Sequence, residues 1–139
     1  MIKFHKKLLL AGALQTLAMA IYHFFIPSQF GWGQYLPEGL STINWSLYGL
    51  NNYFSFNLLV VAAFLLYHLR FKSEKLYTIK VLGSIALLFW IFSAVYQLIN
   101  PMPLPSNLVW LQVLLPSIAF LNIFLFIIPL MSSKTNQTQ

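Results

Sequence analysis

The chain has no cysteine, which excludes disulfides, thiol nucleophiles, thiolate zinc sites and thiolate-held iron–sulfur clusters. Charge is nearly as scarce, with charged residues at 7% of the chain against about 25% in a typical soluble domain. Only Glu38 and Glu74 are acidic, and neither lies within an apolar run. A carboxylate proton relay, or cation-coupled transport of the familiar kind, therefore has no residue to carry it. The sequence also lacks a phosphate loop, a dinucleotide fingerprint, the GxSxG nucleophile motif and HExxH.

Apolar and aromatic side chains take the place of charge. Hydrophobic residues reach 59% and aromatic ones 17%, so the chain cannot clothe itself for water and is suited to lipid and to the headgroup interface. The net charge of +6 does not point to nucleic acid, because the cations sit in short groups beside apolar runs rather than in one patch.

Four runs are long enough to cross a bilayer, over about residues 8–26, 50–69, 76–99 and 108–131. The first rises roughly 28 Å as a helix, against a hydrocarbon core about 30 Å thick. The expected fold is all-α: a polytopic membrane protein forming a four-transmembrane-helix bundle over residues 1–131, with a polar, disordered tail over 132–139. Pro27 is expected to end the first helix and open a glycine-, proline- and aromatic-rich loop reaching about residue 49, with a short surface helix over 41–48 capped by Ser41 or Thr42. The alternating prolines at 101, 103 and 105 predict extended chain, and Pro116 predicts a kink in the fourth helix. Ala18-Met19-Ala20, after a lysine-bearing start, has the form of a signal-peptide cleavage site, the competing reading, which leaves three helices; the apolar run continues past it.

All eight cations fall on one side of this topology. Lys3, Lys6 and Lys7 precede the first span, Arg70, Lys72, Lys75 and Lys80 flank the second connection, and Lys134 follows the fourth. The positive-inside rule assigns that side to the cytoplasm, giving an N-in/C-in arrangement in the cell membrane. Small residues supply helix contacts: Gly12, Thr16 and Ala20 form one face, and Gly83, Ala86, Trp90, Ser93, Ala94 and Gln97 a broader stripe.

Uncharged polar residues gather toward the opposite, outer ends of the helices. His23, Asn51, Ser55, Gln97 and Gln112 are predicted to line an outward pocket, with Glu38 and Trp45 able to cover it from the loop. The alternative is that these groups hydrogen-bond neighbouring helices. His23 has no second imidazole or thiol to join it from the outer half, so no metal site and no cofactor is expected.

The run Tyr22-His23-Phe24-Phe25-Ile26-Pro27, with Phe30-Gly31-Trp32 and Asn51-Asn52-Tyr53, is similar to patterns in small bacterial four-helix membrane proteins, whose layout resembles that of DoxX-like proteins. The resemblance covers the outer half of the first two helices. It implies four helices and a bacterial inner membrane, and transfers no catalytic role. The functional expectation is a non-enzymatic accessory or assembly component, its partners the lipid bilayer and another membrane protein or a second copy. The alternatives are a binder or carrier of a lipid, quinone or other small apolar ligand, and a small membrane enzyme using His23 with Glu38.

Overall fold

The computed structural model of the protein describes residues 3–36, 38–72, 75–101 and 106–132. In order, these form α1 (Lys3–Gln29), α2 (Trp32–Tyr35), a 3-10 turn (Glu38–Leu40), α3 (Ser41–Phe71), α4 (Leu76–Ile99), a second 3-10 turn (Ser106–Leu108) and α5 (Leu111–Ser132). No strand occurs among the described residues. Helices α1, α3, α4 and α5 are each long and apolar enough to cross a membrane.

Only α4 keeps the boundaries expected from sequence. Helix α1 does not stop at Pro27 but continues to Gln29, and the reason lies on another helix. Proline has no N–H, so the carbonyl four residues earlier, that of His23, loses its helical partner. Asn51 of α3 donates its side-chain amide to that carbonyl at 2.9 Å. In lipid a neighbouring helix can repair a proline gap in this way, and the helix then has no reason to end there. The chain reverses instead at Gly31, whose φ of 58° lies in the left-handed region that glycine enters without steric cost.

Helix α3 begins at Ser41, not near residue 50, and residues 41–48 are its first turns rather than a separate surface helix. Neither Ser41 nor Thr42 caps it; Leu40 holds that position. Nucleating a separate helix costs more than extending an existing one, and residues 41–49 contain no proline. Helix α5 starts at Leu111, after the 3-10 turn, and runs through both Pro116 and Pro129. Of the proline-rich connection only Pro101 falls within the described residues, and the tail over 133–139 lies outside them.

The four long helices close a ring: α1 packs on α3 and α5, and α4 packs on α5 and α3. Gly12 near the start of α1 meets Phe126 near the end of α5, and Gly83 near the start of α4 meets Leu130 and Leu9. Neighbours around the ring are thus antiparallel. Lys3, Lys6 and Lys7, Arg70 and Lys72, and Lys75 and Lys80 all come to one end of the bundle, here termed the charged end; Lys134 lies outside the described residues.

The half of the bundle nearer that end is closely packed. Leu9, Leu65, Leu69, Ile79 and Phe126 are buried there among small residues. A Cβ placed on Gly12 would come within 3.0 Å of the Phe126 ring, so the glycine sets how closely α1 and α5 approach. Buried Thr16 joins α1 to α4 by hydrogen bonds. It donates to the Gly12 carbonyl at 2.7 Å and accepts the Trp90 indole N–H from α4 at 3.0 Å. Buried Asn122 donates to the Ile118 carbonyl of its own helix at 3.0 Å. The outside of the ring is apolar, with Phe25, Phe56, Phe64, Leu88 and Phe124 all exposed. Surface of that kind is rare on soluble monomers and suits lipid.

Candidate functional site

Beyond the Trp90–Thr16 contact, toward the end opposite the cations, the ring of helices encloses a cavity of about 930 Å³. Trp90, Leu58 and Met19 lie at its base. Its walls come from the last turns of α1 (Tyr22, His23, Ile26), the first half of α3 (Leu50, Asn51, Phe54), the second half of α4 (Phe89, Phe92, Ser93, Tyr96, Gln97) and the start of α5 (Leu111, Gln112, Leu115). Phe30 and Trp32, on and just before α2, bound it at the helix ends. A volume of this size is at the upper end of the roughly 300–1,000 Å³ of small-molecule sites.

Aromatic rings cross the cavity in sequence. The His23 imidazole is 4.8 Å from Phe54, Phe54 is 4.9 Å from Phe89, and Phe89 is 5.8 Å from Trp90. Each is a tilted or edge contact, the geometry ring quadrupoles prefer. The row ties α1 to α3 and α3 to α4 along one wall.

The polar groups of the wall differ in how fully their bonding capacity is used. The Asn51 amide holds the His23 carbonyl, as described above. Ser46, Ser55 and Ser117 each donate the hydroxyl to the carbonyl four residues earlier, the ordinary arrangement for serine in a helix. Ser93 does not; its hydroxyl oxygen accepts from the Gln97 amide at 2.8 Å, and Gln97 Oε1 has no partner among the described residues. The pair therefore retains both kinds of capacity: donors in the Ser93 O–H and the second Gln97 N–H, and an acceptor in Gln97 Oε1. Exchanging the amide O and N leaves the same remainder, since Oε1 would then accept from Ser93 while Nε2 and the serine oxygen stood open.

No Lys, Arg, Asp or Glu among the described residues lines the cavity. Among the described residues no group of three or more His, Cys, Asp or Glu can hold a metal ion.

Of the residues singled out from sequence, His23, Asn51, Gln97 and Gln112 line this one cavity, each contributed by a different helix. Ser55 is buried outside the wall and donates to the Asn51 carbonyl at 2.6 Å, so it braces the turn that presents Asn51. Trp45 is exposed and lines a separate shallow depression with Tyr48, Asn52 and Tyr53, on the far side of α3. Glu38 opens the 3-10 turn before α3; its side chain, and with it the pairing with His23, lies outside the described residues. Sequence reasoning by polarity passed over Phe54, Phe89 and Trp90 as members of the site; they belong to its apolar lining. Their spacing on the inner sides of α3 and α4 was the available signal.

The fold and this site define a class: an all-helical bundle whose four long helices have membrane-spanning length and composition, packed at one end and hollow at the other. No protein-family model, curated protein or solved structure matches the chain.

Proposed function

We propose that the protein is a multi-pass membrane protein that binds or carries a small, largely apolar ligand in the cavity opposite its charged end. The observation that carries this reading is the convergence of His23, Asn51, Gln97 and Gln112 on one aromatic-lined space of about 930 Å³. A concave, mostly apolar site with a few converging polar groups is the usual form of a small-molecule site. The positive-inside rule puts the charged end in the cytoplasm, with residues 3 and 132 on that side, so the cavity is on the outer face of what the DoxX-like layout suggests is a bacterial inner membrane.

The accessory reading rests on the absence of catalytic motifs and on the small-residue faces of the first and third spans. Gly12, Thr16 and Ala20, and likewise Gly83, Ala86 and Ala94, are buried within the bundle and leave no such face for a partner. The ligand reading is preferred for that reason.

Native mass spectrometry of protein taken from membranes in mild detergent tests the proposal. A retained neutral molecule of defined mass is expected, and it should be lost from Leu115→Trp, which fills the cavity from α5. A bare chain, or bulk lipid retained equally by both proteins, overturns it. Because the chain is free of cysteine, single cysteines introduced at Lys3 and Asn100 test sidedness: an impermeant thiol reagent added outside should label only Asn100→Cys.

A further inference from the structure

From the distribution of exposed residues around the cavity and from the Ser93–Gln97 pair, we infer that the cavity takes a neutral lipid-soluble molecule bearing a hydroxyl group, admitted sideways from the bilayer between α3 and α4. This rests on the ligand-binding reading above and specifies the ligand and its route.

The route follows from which lining residues are covered. On α1 every one of them is at least half-buried. On the facing edges of α3 and α4 they are open: Leu50 is 66% and Phe92 67% exposed, with Phe54 and Tyr96 also exposed. The Phe54–Phe89 contact closes the gap between the two helices on its inner side. Phe92 lies seven residues before the end of α4 at Ile99, about 10 Å along the helix, so the mouth descends into the apolar span instead of opening only at its rim. A mouth edged by phenylalanine, leucine and tyrosine at that depth faces acyl chains.

The chemistry follows from what the walls offer. A charged ligand would leave its charge uncompensated by the described residues, whose lining groups include no ionisable one except imidazole and phenol. A hydroxyl both donates and accepts, which is the complement of the donor and acceptor left on Ser93 and Gln97. Gln97 Oε1 is covered in the structure, so meeting a ligand requires the amide to turn about its terminal bond, a broad torsion, which gives up the Nε2 bond to Ser93. An ether of the same body supplies an acceptor alone and leaves Gln97 Oε1 unmatched.

The test uses the full chain in nanodiscs with Trp45→Phe and Trp110→Phe, which removes the two most exposed indoles and leaves Trp32 and Trp90 at the cavity. The probes are dibromostearyl alcohol, its methyl ether and its sulfate ester, whose bromines quench indole fluorescence on contact. Saturable quenching by the alcohol is expected, with an affinity roughly tenfold above that of the ether, the usual scale for one hydrogen bond to an otherwise unmatched buried group. The sulfate ester should bind more weakly than either. Ser93→Ala and Gln97→Leu should each reduce the alcohol-over-ether preference to about one while still binding the ether. Two variants guard against a folding defect in either.

Attachment of a bulky maleimide to Phe92→Cys should block uptake of the alcohol, whereas the same group on Leu98→Cys, exposed near the end of the helix and outside the cavity lining, should leave it intact. Equal binding of all three probes overturns the hydroxyl assignment and leaves the ligand site standing. No block from Phe92, or an equal block from Leu98, overturns lateral entry. Absence of saturable quenching by any probe overturns the ligand-binding reading itself.

Discussion

The two halves of the bundle are built from the same four helices and the same kinds of residue, yet one is solid and the other hollow. Near the charged end the contacting positions are small, with Gly12, Ala13, Thr16, Gly83 and Ala86 letting backbones approach and Phe126 filling the centre. Toward the other end the inward positions become large and ringed, and Phe54, Phe89, Phe92 and Tyr96 of α3 and α4 line a space. The polar groups divide the same way: Thr16 both donates and accepts within the protein, whereas Ser93 and Gln97 each keep a bond to give. Lipid offers helices little hydrophobic reason to associate, so packing quality and hydrogen bonds carry stability. Stability should therefore reside in the solid half and tolerance in the hollow one.

The sharpest way to break that contrast is Gly12→Leu. The new side chain would enter the Phe126 ring, and a loss of about 3 kcal/mol is expected, the upper part of the range for overpacking, read as the unfolding midpoint in mild detergent. An unchanged midpoint would remove the claim that α1 and α5 are in close contact. Next in size is Asn51→Leu, which leaves the His23 carbonyl without a donor and should cost about 1–2 kcal/mol. Adding Pro27→Ala restores an N–H at the position that carbonyl needs, so the double variant should recover most of the loss; additive losses would disprove the repair.

Thr16→Val strands the Trp90 indole N–H and should cost roughly 0.6–1.7 kcal/mol, the span measured for interhelical bonds in membranes. Smallest of all is Ser93→Leu, which adds apolar volume to the cavity wall and should move the midpoint by less than about 1 kcal/mol, because no packed neighbour must give way. A large loss there would mean that the space is occupied in the folded protein.

The fold was legible where local chemistry governs. The third span reads correctly because Lys75 precedes it and Asn100-Pro101 follow it, and the apolar run between has no internal break. The first span misleads because Pro27 acts on its helix through a backbone gap, and the group that fills the gap, on α3, lies 28 residues after the carbonyl it serves. No window along the sequence contains both. In the site, depth alone was enough to pick His23, Asn51, Gln97 and Gln112, one polar group near the same end of each helix. Trp45 went astray for a rotational reason: α3 continues unbroken from residue 41, and its phase sets Trp45 on the far side; Ser55, one turn on from Asn51, spends its hydroxyl on the Asn51 carbonyl and lies outside the lining. Ser93 was legible as part of a stripe, but its unusual role as acceptor depends on the Gln97 rotamer, which the sequence does not specify.

The dependence of Pro27 on Asn51 also restricts how this chain can change over generations. A lineage can lose the proline first, after which the asparagine becomes redundant and is free to drift. Losing the asparagine first leaves a bare carbonyl in lipid and must be survived before the proline can follow. The pair therefore works as a ratchet with a preferred direction of release, and the order of the two replacements in a related sequence would record which way it turned.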